Sequence, residues 1–148
     1  MSKLHVINGL LIFIFATLLT ASIIYLTPLK NVAVIEPTID DITPEEFYTL
    51  YEADPDKYIF LDVRNSSAYN RLHAAGAELQ PLHTLYTERA FLPKNTDKEI
   101  VLICSGGVAS GVGYSYLEHY GFFNIKRVSG GIAAWDAAGL PVESNTRE

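Results

Sequence analysis

Hydrophobic and polar positions divide the chain into two unlike parts. Residues 4–29 contain no acidic residue, no Lys and no Arg, and the 21 residues from 9 to 29 read GLLIFIFATLLTASIIYLTPL. That is about the length a helix needs to cross roughly 30 Å of hydrocarbon. A buried core helix would carry a polar stripe, and this run has none. The pattern predicts one transmembrane helix, so the membrane itself is an expected partner through residues 9–29. The apolar run continues through Ile23, Ile24, Tyr25 and Leu26, beyond the small residues at 20–22. A cleaved signal segment has a shorter core, about 7–15 residues. An uncleaved anchor is therefore favoured, with secretion after cleavage as the alternative. Lys3 and the amino terminus face a lone Lys30 across the span, and the soluble part is expected outside the cytoplasm.

Beyond residue 30 the periodicity changes. Residues 31–40, with Pro37 and mixed polarity, read as a linker, 41–143 as one domain and 144–148 as a tail. Thr43-Pro44-Glu45-Glu46 is a capping box with Pro at the first helical position. Phe47, Leu50 and Tyr51 follow at helical spacing, and Asp54-Pro55 ends the helix. YIFLDV at 58–63 and EIVLIC at 99–104 are apolar runs of the kind buried in parallel sheets. Between them lie a short helix capped by Ser66 or Ser67, a brief strand near 77–79 and a helix over 83–91. After Cys104, Ser110 is expected to cap a helix whose apolar stripe is Val112, Tyr116, Leu117 and Tyr120, with Gly121 as its stop. A strand at 124–128 and a helix at 132–138 complete the pattern. Strands alternating with helices predict an α/β fold, a parallel sheet flanked by helices on both faces.

Composition narrows the function. A chain that is 49% hydrophobic and 19% charged is not disordered. One Cys excludes an internal disulfide framework and a Cys-rich zinc site. All 17 acidic residues and nine of the 11 basic ones lie beyond residue 30, giving that part a net charge of −8. With no basic block, nucleic acid is not an expected partner. His83 and His119 show no ligand spacing with each other or with Cys104. No metal site and no cofactor is expected.

Ligands of parallel sheets sit beyond the carboxyl ends of the strands, which points to Cys104. Ser105, Gly106, Gly107, Val108 and Ala109 lead from it to Ser110. A Gly-bearing loop can turn successive N–H groups inward as an anion nest, and the next helix adds the positive end of its dipole. A Cys at that rim would have a depressed pKa, and the thiolate is the reactive form. The competing reading is an inert, buried Cys. Residues 106–111 fit G-x-x-x-x-G, but Val112 stands where a phosphate-binding loop needs Lys. A Cys-dependent phosphatase needs C-x5-R, and here Ser110 holds the Arg position.

In this arrangement the sequence resembles the rhodanese domains, a family of sulfurtransferases. Leu61-Asp62-Val63-Arg64, Tyr69 and His73-Ala74-Ala75-Gly76-Ala77 resemble its first signature. Gly130-Gly131-Ile132, Trp135 and Gly139-Leu140-Pro141-Val142 resemble its closing one, and Cys104 ends the strand where the family places its nucleophile. The resemblance implies that Cys104 attacks a sulfur donor, a small sulfur-containing anion or a persulfide, and holds a persulfide. That sulfur then passes to cyanide or to a thiol acceptor, small molecule or protein. The amides of Ser105, Gly106, Gly107, Val108, Ala109 and Ser110 would stabilise the persulfide, with Arg64 and His73 as accessory residues. The family loop usually reads C-R-x-G-x-R-S, and both Arg positions are replaced here, by Ser105 and Ala109. Weak thiosulfate activity is expected. A non-catalytic binding module and a redox-sensing thiol are the alternatives.

Overall fold

The central strand of the sheet is buried on both faces, and that fixes the architecture. In this computed structural model, which describes residues 3–26, 38–92 and 98–145, Glu99–Ile103 is β5. Alternate side chains of a strand point to opposite faces. Val101 and Ile103 enter one apolar cluster, while Ile100, Leu102 and Cys104 enter another. Both faces must therefore be covered. The chain forms two units, Met1–Thr38 and Ile39–Glu148, and β5 lies in the second.

Five parallel strands make the main sheet in the order β1-β6-β5-β2-β4: Asp41–Ile42 (β1), Tyr58–Asp62 (β2), Glu78–Leu79 (β4), β5 and Ile125–Val128 (β6). Two-residue strands His73–Ala74 (β3) and Val142–Glu143 (β7) pair antiparallel beside it. The helices are Pro44–Ala53 (α2), Ser66–Arg71 (α3), Leu82–Glu88 (α4), Val108–His119 (α5) and Gly131–Ala137 (α6), with Lys3–Leu26 (α1) in the first unit. Phe47 of α2 and Trp135 of α6 close one face around Phe60, with ring centroids 4.7 Å and 5.6 Å from it. Leu85 of α4 and Leu117 of α5 close the other. The Trp135 indole N–H donates to the Pro141 carbonyl at 2.9 Å, so its polar atom is satisfied inside the core.

Several expectations change. The transmembrane helix expected over residues 9–29 is not found: among the described residues no helix is long and apolar enough to cross a membrane. Helix α1 ends at Leu26, three residues short of the expected end. Residues 27–29 lie outside the described residues, as do 31–37 of the expected linker. The cap of α3 is Asn65, whose side-chain oxygen accepts from the Ala68 amide at 2.8 Å, not Ser66 or Ser67. Helix α5 begins two residues before Ser110, because Gly107 adopts φ 101° and starts the turn. Its buried face is correspondingly rotated to Ser110, Tyr114 and Leu117, leaving Val112 and Tyr120 exposed.

At the end of β2, Asp62 is fully buried, and its carboxylate accepts from the Arg64 amide and guanidinium, the latter at 2.6–3.0 Å. Arg64 also donates to the Leu72 carbonyl. Removing one partner of a buried pair leaves the other charge unmatched, at a cost of roughly 3–5 kcal/mol. Arg64→Ala is therefore expected to lower the urea midpoint by a stability loss of that order. A loss below about 1 kcal/mol would show that the pair is not held out of water.

Candidate active site

Cys104 follows the last residue of β5, and the chain turns at once into Ser105-Gly106-Gly107 and α5. The thiol is buried, with 2% exposure. Its sulfur receives the Gly107 N–H at 3.1 Å and the Ser110 hydroxyl at 3.3 Å. Burial pushes the thiol up. The Ser110 hydroxyl and the backbone amides of Ser110, Gly106 and Gly107 pull it down, and together they outweigh burial, so Cys104 ionises below an ordinary thiol. That is the direction nucleophilic chemistry needs.

The loop is held from behind by α6. The Ile132 amide donates to the Cys104 carbonyl at 2.8 Å, and the Ala133 amide donates to the Ser105 carbonyl at 3.2 Å. Such close backbone approach has no room for a side chain at Gly131. A Cβ there would stand 2.2 Å from the Cys104 oxygen and 2.9 Å from the Gly106 nitrogen, at φ 60°. The paired glycines of the closing signature thus set the back wall of the site.

Of the expected loop residues, Gly106, Gly107 and Ser110 supply groups to the sulfur. Ser105 and Ala109 instead line a cleft of about 450 Å³, together with Val63, Arg64, Leu82 and Tyr86. Val108 is exposed. Arg64 borders that cleft while committed to Asp62. His73 lies in β3, its Nδ1 2.9 Å from the Tyr69 carbonyl and its Nε2 3.5 Å from Glu143, with its ring stacked on Tyr69. Its contacts are with α3 and the small sheet and not with the loop. Arg127 was not among the expected site residues, and its guanidinium donates to the Gly107 carbonyl at 3.2 Å. The available signal was weak: it is the first Arg after Cys104, on the strand next to β5.

Ser110→Ala removes one donor from the thiolate. Its Cys104 is expected to ionise at higher pH, and alkylation at pH 7 should slow severalfold, since one pKa unit is about tenfold in thiolate. The linked stability has a definite sign. A thiol lowered in the folded state stabilises fully above the unfolded thiol pKa, near about 8.5. That stabilisation is lost as pH falls through the folded value. The wild-type advantage over Ser110→Ala should accordingly widen from acid to about pH 9 in urea titrations; a pH-independent difference would contradict thiolate stabilisation by the hydroxyl.

Comparison with known proteins agrees with this geometry. The chain is 30% identical over 90 residues to a thiosulfate sulfurtransferase GlpE of Pseudoalteromonas translucida, covering 61% of this chain and 84% of that protein. It is 34% identical over 98 residues to a tRNA uridine(34) hydroxylase of Pectobacterium carotovorum, covering 61% of this chain but only 27% of that longer protein. Among solved structures, a rhodanese-related protein of Thermoplasma volcanium superposes with a TM-score of 0.62 at 28% identity, over 70% of this chain and 97% of that one. The sequence profile of the rhodanese-like domain matches residues 43–138, which take in every element from α2 to α6, and the chain belongs to the rhodanese-like domain family.

Proposed function

We propose that the protein is a sulfurtransferase that carries sulfane sulfur on Cys104. The carrying observation is the sulfur at a strand end with the Gly107 amide and the Ser110 hydroxyl aimed at it. In this reading the thiolate attacks the outer sulfur of a donor. The S–S bond of the donor breaks, and the leaving thiolate or sulfite keeps the bonding electron pair. Cys104 then bears a persulfide, whose anion the same preorganised donors stabilise. An acceptor thiolate or cyanide attacks the terminal sulfur, and the electron pair of that S–S bond returns to Cys104.

The donor follows from charge. A cation about 4 Å from an anion contributes roughly 4 kcal/mol at an effective dielectric of 20. Ser105 and Ala109 provide none, and Arg64 is neutralised by Asp62. The cleft those two loop residues open has Val63, Leu82 and Tyr86 in its walls. These features favour an organic persulfide over thiosulfate.

We also propose that residues 1–30 tether the domain, residues 41–143, at a membrane on its extracytoplasmic side. This rests on the uncharged run from 9 to 29. Detergent partitioning of the full chain, with residues 38–148 alone staying in the aqueous phase, is the expected result. Equal partitioning of both would remove the tether.

Incubation with an organic persulfide is expected to add one sulfur by intact mass, lost in Cys104→Ser. No adduct with that donor or with thiosulfate would sink the sulfurtransferase reading in favour of a binding module or redox thiol. Ala109→Arg should raise thiosulfate turnover roughly tenfold, about 1.4 kcal/mol in barrier; an unchanged rate would mean that missing charge is not the limitation.

A further inference from the structure

The Ser110 hydroxyl has one proton and two acceptors in reach: Cys104 Sγ at 3.3 Å and the Gly107 carbonyl oxygen at 3.1 Å. Which one receives the proton decides whether the hydroxyl stabilises a thiolate. A carbonyl oxygen offers two lone pairs. At Gly107 two other donors claim them, the Gly111 amide at 3.0 Å and Arg127 Nη1 at 3.2 Å.

Arg127 reaches this point under close control. It sits opposite Asp41 in the β1–β6 register, and its Nε and Nη2 donate to the two Asp41 carboxylate oxygens at 2.6 Å and 2.7 Å. Its path to Gly107 passes position 111. A Cβ there would lie 2.8 Å from Nη1. Glycine is disfavoured inside a helix relative to alanine, and α5 accepts it at the position where the guanidinium passes.

We propose that Arg127 is a positioning residue for Cys104: by occupying the Gly107 carbonyl it leaves the Ser110 hydroxyl proton to the sulfur. The charged groups around the loop fit this indirect action. Arg127 of β6 is paired with Asp41 of β1, and Arg64 with Asp62 at the end of β2. His83 of α4 lines the cleft beside Ser105. Helix α5 has no charged residue before Glu118, and Asp136 of α6 is exposed. Arg127 is held above the ordinary arginine value, first by its hydrogen bond to Asp41 and in smaller part by the charge of Cys104.

The test uses the full chain and the pH profile of iodoacetamide alkylation, for which Cys104 is the single thiol. Arg127→Met removes the donor. Gly111→Ala keeps the charge and pushes the guanidinium aside, at little risk to the fold because the added methyl meets only flexible side-chain ends. Each is expected to raise the ionisation midpoint and slow alkylation at pH 7 by about 3- to 10-fold. In a Ser110→Ala background Gly111→Ala, which keeps the charge, should shift the profile no further, and Arg127→Met should shift it by less than in wild type, through the lost charge alone. Shifts that add in full to that of Ser110→Ala would overturn the proposal, as would Gly111→Ala or Arg127→Met behaving like wild type. Alkylation needs an ionised thiol within reach of the reagent and no sulfur donor, and the midpoint of the pH profile reports the ionisation, so the result is independent of whether the protein transfers sulfur.

Discussion

The site depends on the grip of α6 on two carbonyls. A trans peptide points its C=O and N–H in opposite directions. Once the Ser105 carbonyl is fixed on the Ala133 amide, the Gly106 N–H of the same peptide unit is turned the other way, into the set of donors that lowers the thiol. The nest is therefore not a property of the loop sequence alone. It needs the missing side chain of Gly131, which lets α6 come within hydrogen-bonding distance, and it needs β5, whose burial on both faces leaves the strand no freedom to shift beneath the loop.

The donors that reach the sulfur are dipoles, with no formal charge among them. Dipoles fixed in place stabilise a thiolate or a persulfide anion at short range, and they do so without drawing anions from a distance. An acidic domain with two self-neutralised Arg–Asp pairs adds no long-range attraction. On the proposed reading, stabilising a persulfide and attracting its donor are separate tasks, and the residues at the sulfur serve only the first.

Much of this was legible in the sequence, for identifiable reasons. Thr43 with Glu46, and the apolar runs 58–63 and 99–104, report local physics: a cap and two buried strands. Cys104 was reached by adding the strand-end rule to its glycines. The strands β1, β3 and β7, two residues each, have no periodicity to read and were missed, and the equally short β4 was reached only through the turn at Gly76 before it. Ser110 was expected as a cap, since Ser after a Gly-rich loop ordinarily has that role, and the positive φ of Gly107 instead starts the helix early and turns Ser110 to the sulfur. Arg127 was invisible because its meaning comes from Asp41, 86 positions earlier, through a register only the folded sheet defines.

That register makes the boundary of the domain a chemical matter. Strand β1 is an edge strand of two residues, held through the Arg127 amide on the Asp40 carbonyl and the Ser129 amide on the Ile42 carbonyl. Such an edge opens at low free-energy cost. The family match begins at residue 43, two positions after Asp41. A chain trimmed to that match would keep both apolar clusters except Ile39, Ile42, Leu140 and Val142, and would lose the carboxylate that anchors Arg127. Its guanidinium would be left beside the loop with one carbonyl for company and an unbalanced charge, so the isolated domain would be a different electrostatic object from the intact one.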